Sequence, residues 1–312
     1  MVEIDATSQV AILLSTYNGQ DYLAEQLDSY MEQTHRNWVV WASDDGSTDQ
    51  TQVILRNFAA RFPVGQVNVV EGPQSGFAAN FLSLVSNPQI TADVYAYSDQ
   101  DDIWNSSKLE QAVAYLQSVP AEIPALYCSR TEYVDEHNTH IGLSQAYAKP
   151  PCFANALVQN IASGNTMVFN HTARSLLQQA GVNLNIPLHD WWTYMVVTGC
   201  DGQVYFDQTS SVRYRQHDNN LWGMNTGWRN RYVRIQKLFE GRFQTWNDQH
   251  LEGLKALSNR LTPGNRKILN QWILARESSL VPRLCHLKKS GVYRQTLLGN
   301  FGLAVAGAAG KI

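Results

Sequence analysis

The sequence predicts an α/β fold built on a mostly parallel sheet. Short apolar runs alternate with stretches of helical periodicity across residues 1–130, the pattern of strand–helix–strand units. Three of the runs end in polar loops: Ser15-Thr16-Tyr17-Asn18-Gly19, Ser43-Asp44-Asp45-Gly46-Ser47 and Ser98-Asp99-Gln100-Asp101-Asp102. In such sheets ligands bind beyond the carboxyl ends of the strands, so the three loops are expected to meet at one cleft.

Residues 10–14 are the first strand, closed by an Asn-Gly turn signal. Leu23, Leu27, Tyr30 and Met31 then recur at helical spacing. Residues 38–42 read as a second strand, and residues 48–61 as a helix with Val53, Ile54 and Phe58 on one side. Residues 67–70 make a third strand, followed by a helix marked by Phe77, Phe81, Leu84 and Val85. Residues 94–97 are the fourth strand. Ser106 or Ser107 suits the cap of the next helix, whose apolar face is Leu109, Ala112, Val113 and Leu116. Beyond residue 130 the periodicity weakens. Residues 165–169, 204–206 and 212–216 read as strands, and 189–197 as a helix. From residue 226 onward the chain reads as helical and basic, broken at Thr262-Pro263-Gly264.

The 312 residues suffice for one large domain or two, and 44% hydrophobic residues exclude a disordered chain. The net charge of −3 conceals a division. Residues 1–225 carry 9 Lys/Arg against 23 Asp/Glu, a net of −14, whereas residues 226–312 carry 15 against 4, a net of +11. A basic tail on an acidic body suits an anionic partner surface. Cys128, Cys152, Cys200 and Cys285 form no C-x-x-C motif. No signal-peptide pattern and no bilayer-length apolar stretch is present, so a reduced, cytoplasmic setting is expected.

Asp99, Asp101 and Asp102 place three carboxylates within four residues at a strand end. Like charges that close are costly without a cation among them, and Mg²⁺ or Mn²⁺ takes oxygen ligands and bridges to phosphates. An acidic turn that only caps the following helix is the plainer reading of the same residues. Asp44 and Asp45 suit hydrogen bonds from a nucleotide base or ribose, or equally a turn. Tyr17 suits stacking on a base.

These loops, quoted as VAILLSTYNGQDYLAEQLDS, WASDDGSTDQT and YAYSDQDDIWNSSKLE, resemble the family 2 inverting nucleotide-sugar glycosyltransferases, and among them the bacterial polysaccharide rhamnosyltransferases. The resemblance spans about residues 8–225. It implies a GT-A type nucleotide-binding sheet with flanking helices, with a donor half at about 1–130 and an acceptor half at about 131–225; the basic helical region at 226–312 lies beyond it. It implies donor contacts at Ser15, Tyr17, Asp44, Asp45 and Asp99, a divalent metal on Asp101, and a small-residue platform for the donor sugar at Ser163-Gly164-Asn165. His217 in the Tyr214–Asn220 segment would complete the metal site or touch the diphosphate, helped by Arg213 and Arg215. Asp190 stands where the family has its catalytic base, with His189 in place of the usual Glu. Trp191 and Trp192 would line the acceptor sugar.

The implied reaction is transfer of a sugar, rhamnose from dTDP-rhamnose, to a hydroxyl of a lipid-linked bacterial surface polysaccharide. A nucleotidyltransferase and a non-catalytic nucleotide-sugar-binding module are the alternatives. The first would carry a cation in the loop after strand one, which STYNGQDYL lacks, and the second would not need both D-x-D and a base. The aromatics of the tail, Trp228, Tyr232, Phe239, Phe243, Trp246, Trp272 and Tyr293, suit an anionic membrane surface. Plain packing on the sheet and a homo-oligomer interface remain alternatives for them. No nucleic-acid partner is expected.

Overall fold

β1 (Val10–Thr16) divides its side chains between two cores, Val10, Ile12 and Leu14 on one face and Ala11 and Leu13 on the other. A strand buried on both faces belongs at the centre of a layered α/β fold. In the computed structural model, which describes residues 7–217 and 242–312, β1 lies between β2 (Trp38–Asp44) and β4 (Val94–Ser98), parallel to both. β3 (Val67–Glu71) extends the parallel edge. Among the described residues the sheet has nine strands. Their order is β3-β2-β1-β4-β8-β6-β9-β5, where β5 is Ile103–Trp104, β6 is Ala125–Val134, β8 is Val168–Asn170 and β9 is Gln203–Arg215. β7 (His140–Leu143) pairs with β6.

β8 is antiparallel to both β4 and β6, and two reversals restore the direction. β6 and its parallel partner β9 therefore run the same way as β1, β2 and β4. The carboxyl ends of β1, β2, β4 and β9 consequently reach one edge of the sheet. The two-residue β5, just after the acidic loop, pairs with β9 through Ile103 and Arg213 and brings residues 99–102 beside residues 213–217.

Helices α1 (Leu23–Met31), α2 (Thr51–Ala59) and α4 (Lys108–Gln117) supply residues to one core. Helices α3 (Phe77–Ser86), α5 (Phe153–Ala156), α6 (His171–Ala180) and α7 (His189–Gly199) supply the other. The C-terminal helices α8 (Arg242–Ala256), α9 (Pro263–Glu277), α10 (Leu280–Ser290) and α11 (Leu297–Ala308) follow. Leu254, Trp272, Ala275, Leu303 and Ala306 place α8, α9 and α11 in the same core as α7, and Leu287 of α10 packs against it.

The structure departs from the periodic reading in four places. The buried side of α2 is Thr51, Leu55 and Phe58, and Val53 is exposed. The two short strands expected at 204–206 and 212–216 are one thirteen-residue strand, β9, with irregular register opposite Ser129–Thr131. The strand expected from residue 165 begins at Val168, after a 3-10 turn over Gly164–Thr166. Ser107 does cap α4 by position, but its side chain makes no capping hydrogen bond. All four cysteines are free thiols.

Candidate active site

Parallel pairing sets Thr16 opposite Asp44 and Leu14 opposite Ser98, so the first three polar loops open side by side. Side-chain bonds then lock them together. The Gln100 amide accepts from Tyr17 N at 2.8 Å and donates to Tyr17 O at 2.9 Å, tying the loop after β4 to the loop after β1. Asn80, buried on α3, donates to Ser15 Oγ at 2.8 Å and to Ser43 O at 2.9 Å. Tyr17 is left 58% exposed at the rim, its ring open to a base.

The two adjacent aspartates after β2 have different tasks. Asp44 is buried and accepts four hydrogen bonds, from Thr16 Oγ1 (3.0 Å), Ser47 Oγ (2.5 Å), Ser47 N (3.1 Å) and Gln52 Nε2 (2.9 Å). Those donors fill the capacity of a carboxylate. Contrary to the sequence-based expectation, Asp44 therefore has no lone pair left for a nucleoside, and it organises the turn. Among the described residues Asp45 accepts from Gln74 N (2.6 Å) and Gly76 N (2.9 Å), and it is partly exposed, so it retains acceptor capacity.

Asp99 lies partly buried at the end of β4. Desolvation, then the neighbouring carboxylates of Asp101 and Asp190, push it up to about 7. Asp101 Oδ2 meets His217 Nε2 at 2.9 Å. The His217 ring packs against Tyr22 with centroids 4.9 Å apart, and its buried Nδ1 has no hydrogen-bond partner. Asp102 is fully buried and accepts from Asn165 Nδ2 at 2.6 Å. Burial, then Asp101 and Asp99, raise it well above the ordinary carboxylate range.

Beneath this loop lies Lys108, also fully buried. Its Nζ donates to Asn165 O at 2.5 Å and sits 3.4 Å from the centre of the Trp104 ring. Burial lowers its proton affinity, while Asp102 and Asp99 oppose that shift. Arg215 was expected to face a diphosphate. It is instead buried, donating to Asp101 O (3.2 Å), Glu136 O (2.9 Å) and Glu25 Oε2 (2.8 Å), with its guanidinium over the Tyr22 ring. Its contribution is to hold the backbone of the acidic loop in place.

Every residue of α7 is buried except Asp190, the second residue of the helix. Asp190 accepts from Trp191 N (2.6 Å) and from Gly164 N (3.2 Å). Burial raises its carboxyl to about 6 against those hydrogen bonds. Leu188 holds the cap position, so Asp190 is no ordinary N-cap. His189 stacks on Phe81 at 3.8 Å, edge-on to Tyr97 at 4.8 Å, and both ring nitrogens lack partners. Burial drives it down to about 3, so it is neutral and cannot replace an acidic residue. A Cβ on Gly164 would lie 2.8 Å from His189 Nε2 and 3.3 Å from the Asp190 Cβ, so only glycine lets that loop approach Asp190.

The two tryptophans after Asp190 do not line a sugar site. Trp192 is fully buried, with Gly253 of α8 against its ring. Trp191 is 4% exposed, donates Nε1 to Ala156 O at 2.6 Å and packs on Phe243, Trp246 and His250. Both rings are taken up by packing within the core and carry no exposed face.

Asp101 and His217 offer a hard carboxylate oxygen and a borderline imidazole nitrogen in direct contact, and the carboxylate suits Mg²⁺ or Mn²⁺. Among the described residues no third His, Cys, Asp or Glu joins them as a group that could hold a metal by itself. Phosphate oxygens and water are the remaining ligands such an ion would take.

The sequence profile of Glycosyl transferase family 2 matches residues 11–177, more than half of the chain and all three loops. The chain belongs to glycosyl transferase family 2. Family membership decides against the nucleotidyltransferase alternative. Among curated relatives the chain is 28% identical over 236 residues to the dTDP-rhamnosyl transferase RfbG of Shigella flexneri, covering 71% of this chain and 78% of that one. It is 25% identical over 215 residues to the uncharacterized protein Mb1547 of Mycobacterium bovis, spanning 60% of that protein. Solved structures share the GT-A fold. The mannosyltransferase PcManGT of Pyrobaculum calidifontis, in complex with GDP-Man and Mn²⁺, has a TM-score of 0.55 at 18% identity, over 99% of this chain and 78% of that chain. S. aureus TarS 1-349 in complex with UDP-GlcNAc has 0.54 at 13% identity, over 97% and 90%.

Sequence reasoning missed Gln100, Asn80 and Lys108 as builders of this glycosyltransferase cleft. Gln100 lies inside the acidic loop and Lys108 six residues after Asp102, but nothing local shows which side chains fold back on a neighbouring loop.

Proposed function

We propose that this glycosyltransferase moves rhamnose from dTDP-rhamnose to a hydroxyl of a lipid-linked bacterial surface polysaccharide, inverting the anomeric centre. The observation that carries the reaction type is Asp190. It is the one residue of a buried helix that is not itself buried, close enough to Asp99 for its charge to be felt there. Inversion is a single displacement and needs one carboxylate to take the acceptor proton. With its carboxyl near 6, Asp190 is mostly ionised at neutral pH and still basic enough to accept that proton. Gly164 N holds the carboxylate in place. Tyr17, Ser15 and Asp45 bind the nucleoside, and Asp99 orients the donor ribose or sugar. Asp101 and His217 would hold Mg²⁺ or Mn²⁺, which when bound stabilises negative charge on the leaving diphosphate. The similarity to a dTDP-rhamnosyl transferase supports the donor.

A thermal-shift screen with Mn²⁺ and dTDP-rhamnose, UDP-GlcNAc or GDP-mannose tests the donor, because a ligand at 100 times its Kd adds ~2.7 kcal/mol. Stabilisation by dTDP-rhamnose alone is expected. Stabilisation by another sugar nucleotide and not by this one overturns the rhamnosyl reading.

A further inference from the structure

The aromatics expected to form an interfacial belt pack inward where the structure describes them. Trp272 is fully buried, Phe243 and Trp246 lie against Trp191, and Tyr293 donates to Pro150 O. Trp228, Tyr232 and Phe239 lie outside the described residues. The exposed apolar surface of this region is elsewhere. On α11, Leu297 is 88% exposed, Leu298 74%, Phe301 68% and Val305 42%. On α10, Val281 is 70% exposed and Leu284 39%.

α11 contains no charged residue, and only Leu303, Ala306 and Gly307 turn inward. Gly307 permits close packing, since a Cβ there would lie 2.8 Å from the Leu287 side chain of α10. A helix apolar on all sides is ordinarily enclosed, and a contiguous exposed apolar face marks a contact surface. Twelve residues span about 18 Å, short of a bilayer core of about 30 Å, and no described helix is long and apolar enough to cross a membrane. The segment that carries the face has charge of one sign. From residue 278 to 312 there are five basic residues and no acidic one, and Lys288 and Lys289 at the end of α10 are exposed.

We propose that α10 and α11 form a docking face for an anionic bilayer, α11 lying in the plane of the interface with Lys288 and Lys289 against lipid headgroups. A bilayer offers acyl chains to the uncharged helix and negative charge to its flank. A second copy fits less well. Pairing this face with itself would bring the lysines of both copies together with no acidic residue in the segment to offset them. An acidic body, for its part, would not match the apolar helix. Only the purpose of the contact, bringing the cleft to a lipid-linked acceptor, rests on the proposed function.

Co-sedimentation of the full chain with phosphatidylcholine vesicles, with and without phosphatidylglycerol, tests the face. The wild type is expected to bind the anionic vesicles, less tightly as salt rises. The Leu298→Asp/Phe301→Asp and Lys288→Glu/Lys289→Glu variants are each expected to bind about tenfold more weakly or worse. Slow donor hydrolysis without acceptor serves as the folding check and should be unchanged in both. Wild type that stays in the supernatant, or aspartate variants that bind as well as wild type, overturn the proposal. So does dimerisation by light scattering that the same substitutions abolish while no vesicle binding is seen. Vesicle binding without any hydrolysis would instead count against the enzymatic reading alone.

Discussion

His217 Nε2 lies 2.9 Å from Asp101 Oδ2, although 116 positions separate the two residues in the chain. The contact follows from pairing of β5 with β9 and from Arg215, which holds the Asp101 carbonyl two residues before His217. A long-range contact between a carboxylate and an imidazole at a strand edge brings two metal-ligating side chains together.

Removal of the divalent cation proposed there should be equivalent to removal of either ligand. Asp101→Ala and His217→Ala are expected to fold, with near-native circular dichroism, and to lose transfer by about 10²-fold or more. EDTA should reproduce the loss in the wild type, and Mn²⁺ or Mg²⁺ should restore it. Full activity in EDTA would remove the metal from the mechanism.

For the base, Asp190→Asn keeps the shape but cannot take a proton. We expect kcat to fall about 10²-fold or more with donor affinity unchanged. Wild-type kcat should decline as pH drops through about 6, where Asp190 protonates, and the variant should lack that limb. Stability should move the other way. A carboxyl raised in the folded state favours folding below its unfolded value and loses that contribution as pH rises through 6. Asp190→Asn should therefore stabilise the protein at pH 8 by up to about 3 kcal/mol, a gain that shrinks as pH falls through 6 and is nearly gone by pH 4. An unchanged pH profile would reassign the residue.

Gly164→Ala probes the support of that base. The added methyl meets His189 and Asp190, so a stability loss of about 1–3 kcal/mol is expected, together with a kcat loss of about tenfold or more. Normal kcat would show that the Gly164 amide does not position Asp190.

Lys108 lies buried beneath the acidic loop, where it donates to Asn165 O and faces Asp102 and Asp99. Lys108→Met should destabilise by about 1–3 kcal/mol, because it leaves the buried Asn165 carbonyl without this donor and removes the amine that faces Asp102. Adding Asp102→Asn should recover part of the loss. Chemical denaturation of the four proteins in this cycle measures the coupling, and strict additivity would mean that the two groups act independently.

Trp192→Ala should cost about 3–5 kcal/mol through the cavity left against α8, with acceptor KM unchanged in the folded fraction. A selective rise in acceptor KM would return the ring to the sugar site.

The parallel half of the sheet and the loops at its edge were legible in the sequence because both depend on local patterns. Apolar runs at Val10–Thr16, Trp38–Asp44 and Val94–Ser98 need no partner to be recognised, and Ser, Asp and Gly after a strand announce a turn. β6 escaped notice because Cys128, Ser129, Arg130 and Thr131 break its apolar run, and its place is set by β8 and β9. The sequence by itself determined the residue types at the cleft: the D-x-D carboxylates, Asp45, Tyr17, and a carboxylate at the start of a late helix. Only the tertiary structure decided how they divide the work. Asp44 and Asp45 are adjacent in sequence, yet the first is saturated by four donors and the second retains acceptor capacity. Trp191 and Trp192 follow the base, yet both are buried. Lys108 and Arg215 are long cations that ordinarily reach for solvent, yet both are buried under the acidic loop. The physical reason is the same in each case. Burial, desolvation and hydrogen-bond saturation depend on which distant element packs on a residue, and that is settled by strand order and helix packing rather than by neighbours in the chain.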